Sequence, residues 1–288
     1  MENRKWSFAS KSRNVHTLHI DLPHVGDEQF ILLQSDVHFD NPHCNRDLWR
    51  EHMDKARSLD APVLDAGDFF CAMQGKYDPR SSKSDVRPEH ARGDYLDALV
   101  RTAAEELEPY KDLLTLRAWG NHETAILKRH ETDLTARLVE RLKVMDSGAE
   151  CGQFSGWVRI FVTYQGTRRK SFDLFYHHGY GGGGPVTRGV IQANRMGVFL
   201  DGADIVWSGH THDSWIMPVE KVRLTQALKV EQFRQVHIRT AGYKDEYEDG
   251  ARGWHIERGA PPKPLGGAWL RVYQSVGGEV QVDVVEAR

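Results

Sequence analysis

The chain has 288 residues, a formal charge of −3 and 40% hydrophobic residues. That balance supplies a sizeable core and argues against avid, non-specific nucleic-acid binding, which wants a basic surface. No run of about 18 apolar residues exists to span a bilayer, the N-terminus MENRKWSFASKSRNVH lacks an apolar signal core, and the scattered Cys44, Cys71 and Cys151 read as reduced thiols, so a cytoplasmic protein with no membrane partner is expected.

In chain order, the apolar run FILLQ breaks into Ser35-Asp36-Val37-His38. Short apolar runs that end in Gly and polar residues read as buried strands. Residues 47–59 place Leu48, Met53, Ala56 and Leu59 on one face and predict a helix. PVLDA then breaks into Gly67-Asp68. The stretch 76–94 sets Lys76, Arg80, Lys83, Arg87 and Arg92 against Asp78, Asp85, Glu89 and Asp94, so it reads as a solvated insertion, about 71–95. A helix is predicted over 88–107. LLTLRAW breaks into Gly120-Asn121-His122-Glu123, and Leu134, Leu138 and Leu142 predict a helix over 132–144.

A hairpin is predicted from 158–164 and 171–176. FDLFY breaks into His177-His178-Gly179, and a glycine-rich segment follows, with Pro185 suited to the first turn of a helix toward Leu200. ADIVW breaks into Ser208-Gly209-His210-Thr211-His212. Further strands are predicted over 215–219, 235–240, 268–273 and 280–285, with a second insertion, 242–267, rich in Gly, Pro and charge. The whole, 1–288, reads as a single domain.

Strands alternating with helices imply a layered α/β domain, whose ligands bind outside the carboxyl ends of the strands. All five of those ends carry Asp, Asn or His. Asp36, His38, Asp68, Asn121, His178, His210 and His212 offer carboxylate, imidazole and amide donors that suit Mn²⁺, Fe or Zn²⁺. They are too many for one tetrahedral ion and enough for two if a carboxylate bridges, with Asp68 the natural bridge. The glycines also match a dinucleotide fingerprint, Gly179-x-Gly181-x-x-Gly184. However, Asp201 and Asp204 precede the next apolar run instead of ending it, and no Gly-Lys-Ser/Thr follows, so a nucleotide cofactor is not expected.

In this order, D-x-H, G-D, G-N-H-E, H-G and G-H-x-H resemble the calcineurin-like metallophosphoesterases, from Phe30 to His212. The resemblance implies an α/β fold, a four-layer αββα sandwich of two mixed β-sheets flanked by helices. It implies two divalent ions, Mn²⁺ first, with Fe, Zn²⁺, Ni²⁺ or Mg²⁺ as alternatives. Asp36, His38, Asp68 and His212 would hold one ion, and Asp68, Asn121, His178 and His210 the other. His122 would be the general acid or stabilise transition-state charge, and Glu123 would orient the loop or His122. The implied reaction is in-line attack of metal-bound hydroxide on phosphorus.

Two departures matter. The protein-phosphatase branch extends its second segment to G-D-x-x-D-R-G, whereas Phe-Phe-Cys-Ala follows Gly67-Asp68 here, so the phosphate-clamping arginine is missing from that place. Phosphodiester hydrolysis on a nucleotide, DNA or RNA is therefore expected first. A phosphomonoesterase on a small molecule or phosphoprotein comes next, and a non-catalytic metal-binding interaction module last. The adjacent histidines leave the fourth ligand open between His177 and His178; the family pattern favours His178. GGGGPVTRGVIQANR and GYKDEYEDGARGWHIERGAPPKPLGG are similar to phosphoesterases common in bacteriophage genomes, which implies the cytoplasm of a bacterium or a phage-infected host. Expected substrate contacts are Gly182 and Gly183, where a Cβ would intrude, Arg188, and Tyr243, an aromatic among the bases Lys244, His255 and Arg258 that could stack a nucleobase.

Overall fold

The computed structural model describes residues 4–73, 86–182, 184, 186–247, 254–257 and 259–288. In chain order the elements begin β1 (Trp6–Ser12), β2 (Val15–Leu22), β3 (Glu28–Gln34), α1 (Arg46–Ser58), β4 (Val63–Asp65), α2 (Tyr95–Leu107), β5 (Leu114–Arg117), α3 (Asn121–His130) and α4 (Leu134–Val144). They continue β6 (Glu150–Cys151), β7 (Ser155–Tyr164), β8 (Arg168–His177), α5 (Val190–Phe199), β9 (Ile205–Ser208), β10 (Trp215–Leu224), β11 (Val230–Arg239), α6 (Trp254–Glu257), β12 (Gly267–Gln274) and β13 (Val280–Ala287).

Two mixed sheets result. One has the order β1-β2-β7-β8-β9-β11-β10, the other β13-β12-β3-β4-β5-β6. In the second, β3, β4, β5 and β6 run parallel, which demands crossovers, and α1 to α4 supply them on its outer face. In the first, β8, β9 and β11 run parallel. Its strands bury both faces by alternation. Leu174, Tyr176, Ile205 and Trp207 enter the large core between the sheets. Phe175 and Val206 point the other way, into a small cluster with Met196, Leu200 and Ala203 beneath α5. The architecture is thus helices, sheet, sheet, helix. No helix among the described residues is long and apolar enough to cross a membrane.

Several boundaries differ from the sequence expectations. The helix expected from 88 is a single 3₁₀ turn, Pro88–His90, and α2 begins only at Tyr95, after Gly93. The helix α5 starts at Val190, because Gly189 takes a left-handed φ of 80° and breaks the turn before it. The hairpin β10–β11 extends five residues further on each strand than expected, to Leu224 and from Val230. No strand was expected before Phe30, yet β1 and β2 are there, because VHTLHIDL buries His16 and Thr17 beside Leu18, Ile20 and Leu22 and so hides its apolar face. The first expected insertion falls between β4 and α2, and its residues 74–85 lie outside the described ones. The second falls between β11 and β12, with 248–253 and 258 outside.

Burial pushes His16 and His237 down to about 4. The unfolded chain takes up these protons near the ordinary histidine value of 6.5, the folded one only near 4. Stability therefore falls as pH drops through that window. The urea midpoint, measured from pH 7 to 4, should fall, and the double variant His16→Gln, His237→Gln should flatten the fall.

Candidate metal centre

The carboxyl ends of β3, β4 and β5 meet those of β8, β9 and β11 at one end of the molecule, where their loops bond to one another. Asp36 N–H donates to the Gly67 carbonyl (2.9 Å), His38 N–H to Asp68 (3.1 Å), Gly209 N–H to His178 (2.9 Å) and Tyr243 N–H to Asp36 (3.0 Å). Side chains add the Ser35–Thr240 hydroxyl pair at 2.8 Å.

Every ligand candidate named from the sequence lies here. The ligand atoms of Asp36, His38 and His212 fall within 4.8 Å of one another, as do those of Asp68, His178 and His210. Asn121 joins the second group through Oδ1, 3.0 Å from His178 Nε2. Five of these residues, Asp36, His38, Asp68, His210 and His212, have left-handed φ angles of 50–74°. Outside glycine that conformation is uncommon, is best tolerated by Asn, Asp and His, and collects at functional sites.

The second layer fixes ring orientation. A carbonyl can only accept, so His178 Nδ1–H must donate to Ala66 O (2.9 Å), which turns Nε2 toward Asp68 Oδ2 at 3.1 Å. His122 Nδ1–H likewise donates to Cys71 O (2.6 Å), and its Nε2, 3.8 Å from Asp68 Oδ2, makes no hydrogen bond among the described residues. The Glu123 carboxylate accepts from the N–H groups of Asp68 (3.0 Å), Phe70 (2.9 Å) and Gly120 (2.8 Å). It joins two loops and is spent on backbone, not turned toward a substrate. Asp40 holds the next turn in the same way, through Cys71 and Ala72 N–H at 2.6 and 2.8 Å.

Electrostatics follow from burial and proximity. Burial pushes Asp36 up to about 7, helped by the Asp68 charge. Burial acts upward on Asp68 too, but His178 and His122 outweigh it and hold Asp68 well below the usual carboxylate range. Burial alone would lower His178, yet Asp68 raises it to about 10. Burial drops His210 to about 4, aided by His178, and His212 to about 3, aided by Lys244. Burial thus favours the neutral imidazole at His38, His210 and His212, while the Asp68 charge favours a proton on His178.

A divalent cation fits this donor set. Asp36 Oδ1, 3.5 Å from His212 Nε2, and His38 Nδ1 are buried without a hydrogen bond among the described residues, and His38 Nε2 faces His212 Nε2 at 3.3 Å, two imidazole nitrogens turned on one point. Carboxylate oxygen, amide oxygen and imidazole nitrogen suit Mn²⁺, Fe or Zn²⁺. The ligand atoms of His38, Cys71 and His122 also lie within 4.8 Å of one another, although burial pushes the Cys71 thiol up to about 12 and keeps it protonated.

Other expectations need correction. Tyr243 cannot stack a nucleobase: its ring is wholly buried and its hydroxyl bonds His52 Nδ1 at 2.9 Å. A Cβ on Gly182 would meet nothing within 4 Å; the cramped glycine of that segment is Gly179, at φ 121°, whose Cβ would stand 2.7 Å from Gly209 O. Gly183 lies outside the described residues, as do Lys76, Arg80, Lys83, Arg258 and the side chains of Trp254 and His255. Arg188 is exposed, its carbonyl accepting from Trp215 Nε1. His177 sits among Phe154, Phe175 and Tyr180, and Gly179 N–H donates to its Nδ1 at 2.9 Å. Lys263 pairs with Asp213 (2.8 Å), Lys244 with Glu246 (2.5 Å), and Arg87 donates to the carbonyls of Asn41, Pro42 and Cys44. Sequence reasoning missed Arg239, whose Nη1 donates to Gly209 O (2.7 Å) and Thr211 Oγ1 (3.1 Å) on either side of His210. Its signal was an arginine closing an otherwise apolar strand end, VHIRTAG.

No family model matches the chain, and no curated protein does. Among solved structures it is similar to a Thermotoga maritima protein determined by NMR (15% identity, TM-score 0.33, covering 90% of this chain and 99% of that one). It is similar too to Vps29 of Chaetomium thermophilum (8%, 0.35, 90% and 95%) and to the calcineurin-like phosphoesterase YfkN of Bacillus subtilis (10%, 0.35, 91% and 91%). Likenesses this loose say nothing about individual residues.

Glu123→Gln should turn an amide N–H₂ onto backbone N–H donors, costing about 1–3 kcal/mol. Urea unfolding should register that loss, and elemental analysis after Mn²⁺ loading should show reduced metal retention. Wild-type metal content would mean the Asp68 loop holds without Glu123.

Proposed function

We propose that this chain is a metal-dependent phosphoester hydrolase that acts on phosphodiesters of nucleotide or nucleic-acid type. What carries the reading is the meeting of two three-residue ligand groups with a histidine, His122, whose Nδ1 is held by a carbonyl and whose Nε2 lies 3.8 Å from Asp68 Oδ2. Asp36, His38, Asp68 and His212 would hold one divalent ion, and Asp68, Asn121, His178 and His210 the other, Mn²⁺ first. Such ions, when bound, polarise phosphoryl oxygens and acidify water.

The chain's own residues supply the rest. With Nδ1–H committed to the Cys71 carbonyl, Nε2 is the His122 atom that can carry a proton to a leaving oxygen. Glu123 and Asp40 keep the Asp68 and Cys71 turns in register by taking up backbone N–H groups. His178 must give up its proton before a cation can take its place, because Nδ1 is already engaged. Arg188 and Gly182, both exposed on the glycine segment, are the remaining candidates to meet substrate. The diester preference is supported by the turn after Asp68, where buried Cys71 and Ala72 stand in the places of the Asp-Arg pair of the protein-phosphatase pattern.

With Mn²⁺ added, bis(p-nitrophenyl) phosphate should be cleaved at least about tenfold faster than p-nitrophenyl phosphate, a difference of about 1.4 kcal/mol in barrier. Dominant monoester cleavage would reverse the substrate preference, and no cleavage of either by metal-loaded protein would favour a binding module. His122→Ala should retain metal while losing about 10²–10⁴ in kcat, least for good leaving groups such as nitrophenolate. A loss uniform across leaving groups would remove His122 from the acid role.

A further inference from the structure

Two arginines, Arg117 and Arg239, are buried to 2% and 1% exposure. Arg117 has a counter-ion, Asp65, at 3.4 Å, which compensates its charge although its Nη1 and Nη2 make no hydrogen bond among the described residues. Arg239 makes no ion pair among the described residues; its guanidinium lies 5.4 Å from the centroid of the Trp215 ring, and its Nε and Nη2 have no hydrogen-bond partner there. The nearby carboxylates are otherwise occupied: Asp36 accepts from His210 N–H, and Asp213 holds Lys263 through Oδ1, although its Oδ2 is unpartnered. A buried guanidinium with bare N–H groups is unfavourable unless an anion or water completes it.

The surroundings point to an anion. The Arg239 guanidinium lies against Gly189, where an added Cβ would stand 3.3 Å from both Cζ and Nη2. Gly189 is the N-cap of α5 and gives that helix no side-chain cap. The unpaired Nη2 is thus set at the first turn of a helix without a side-chain cap, where Val190 N–H donates to the Thr187 carbonyl (2.8 Å) and Ala193 N–H to that of Gly189 (3.3 Å), and helix N-termini and guanidinium edges both favour phosphate oxygens. Nη1 of the same side chain holds Gly209 and Thr211, on either side of His210. Because Nε and Nη2 are buried, occupancy requires α5 to shift outward, and that helix rests on a core cluster of only five buried residues.

We propose that Arg239 and the first turn of α5 take a second phosphate group of the substrate, beside the phosphate at the metal centre. This rests on the phosphodiester reading of the same site and narrows it to diesters with a further phosphate nearby, a chemistry shared by oligonucleotides and nucleoside polyphosphates. The test uses the full chain loaded with Mn²⁺. The wild type should cleave the dinucleotide pTpT with kcat/KM about tenfold above TpT, the effect of a charge-assisted hydrogen bond. Ile191→Glu, at an exposed position of that first turn, and Arg239→Gln should bring the ratio near one, and Arg239→Lys should keep part of it; the ratio within each variant cancels any loss common to both substrates. Calorimetry with pyrophosphate decides the subsite even if neither dinucleotide is cleaved, an outcome that would sink the phosphodiester reading alone. Binding about tenfold weaker in Ile191→Glu and Arg239→Gln supports the subsite. Equal pyrophosphate binding in all variants, or a wild-type ratio near one with intact cleavage, overturns it and leaves water bridging Arg239 to Asp213. A UDP-glucose rate that falls in Ile191→Glu while the pTpT:TpT ratio holds would assign the subsite to anhydride-linked phosphates; the reverse would assign it to oligonucleotides.

Discussion

The loops of this site approach one another backbone to backbone, and everything else about the centre depends on that closeness. A Cβ on Gly67 would collide with the backbone of Trp119 and Gly120, and one on Gly120 with the Asp68 carboxylate. A Cβ on Gly209 would strike Ser35 and Asp36, and one on Gly242 would stand 2.9 Å from Asp36. Such packing brings polar backbone groups into a buried space, where each must find a partner. Glu123, Asp40 and the carbonyls of Ala66 and Cys71 are those partners. The same contacts that satisfy the backbone also aim the rings of His178 and His122, so folding and chemistry draw on one set of hydrogen bonds.

The left-handed backbone at Asp36, His38, Asp68, His210 and His212 makes the same point. Asp and His are among the few side-chain-bearing residues that tolerate this conformation, and they are also metal ligands. The ordering entropy of the ligands is therefore met when the chain folds. An arriving cation has to displace protons from His178 and Asp36 rather than rebuild the loops, so its binding energy is not consumed in arranging them.

The strand ends were legible because each short apolar run stops at a polar residue, and that break survives in sequence whatever the neighbours do. Asp36, Asp68, Asn121 and His210 needed no more than this to be picked out, whereas the choice of His178 over His177 came from the family pattern alone. The hidden parts have physical reasons. Carbonyls such as those of Ala66 and Cys71 leave no mark in side-chain pattern. The buried face of β2 opens with His16 before Leu18, Ile20 and Leu22, and the opposite face buries Thr17, so its apolar alternation is cut short in sequence. Tyr243 was read as a stacking ring because aromatics among charges suit a surface loop, whereas its N–H bond to Asp36 draws the residue into the core. In the glycine segment a Cβ was expected to intrude at Gly182 and Gly183, yet Gly179 is sterically required and Gly182 is not.

The five-residue cluster beneath α5 is small beside the core that joins the two sheets. Cooperative units open in proportion to the apolar surface that holds them shut. The α5 layer can therefore detach as a local unit at far lower free energy than the sheets that carry the ligands. Native-state hydrogen exchange would register this as two populations of amides: fast along α5, slow at β3, β8 and β9. The molecule joins a stiff frame, which fixes the chemistry, to one compliant wall, and differences in what such proteins accept would collect in that wall.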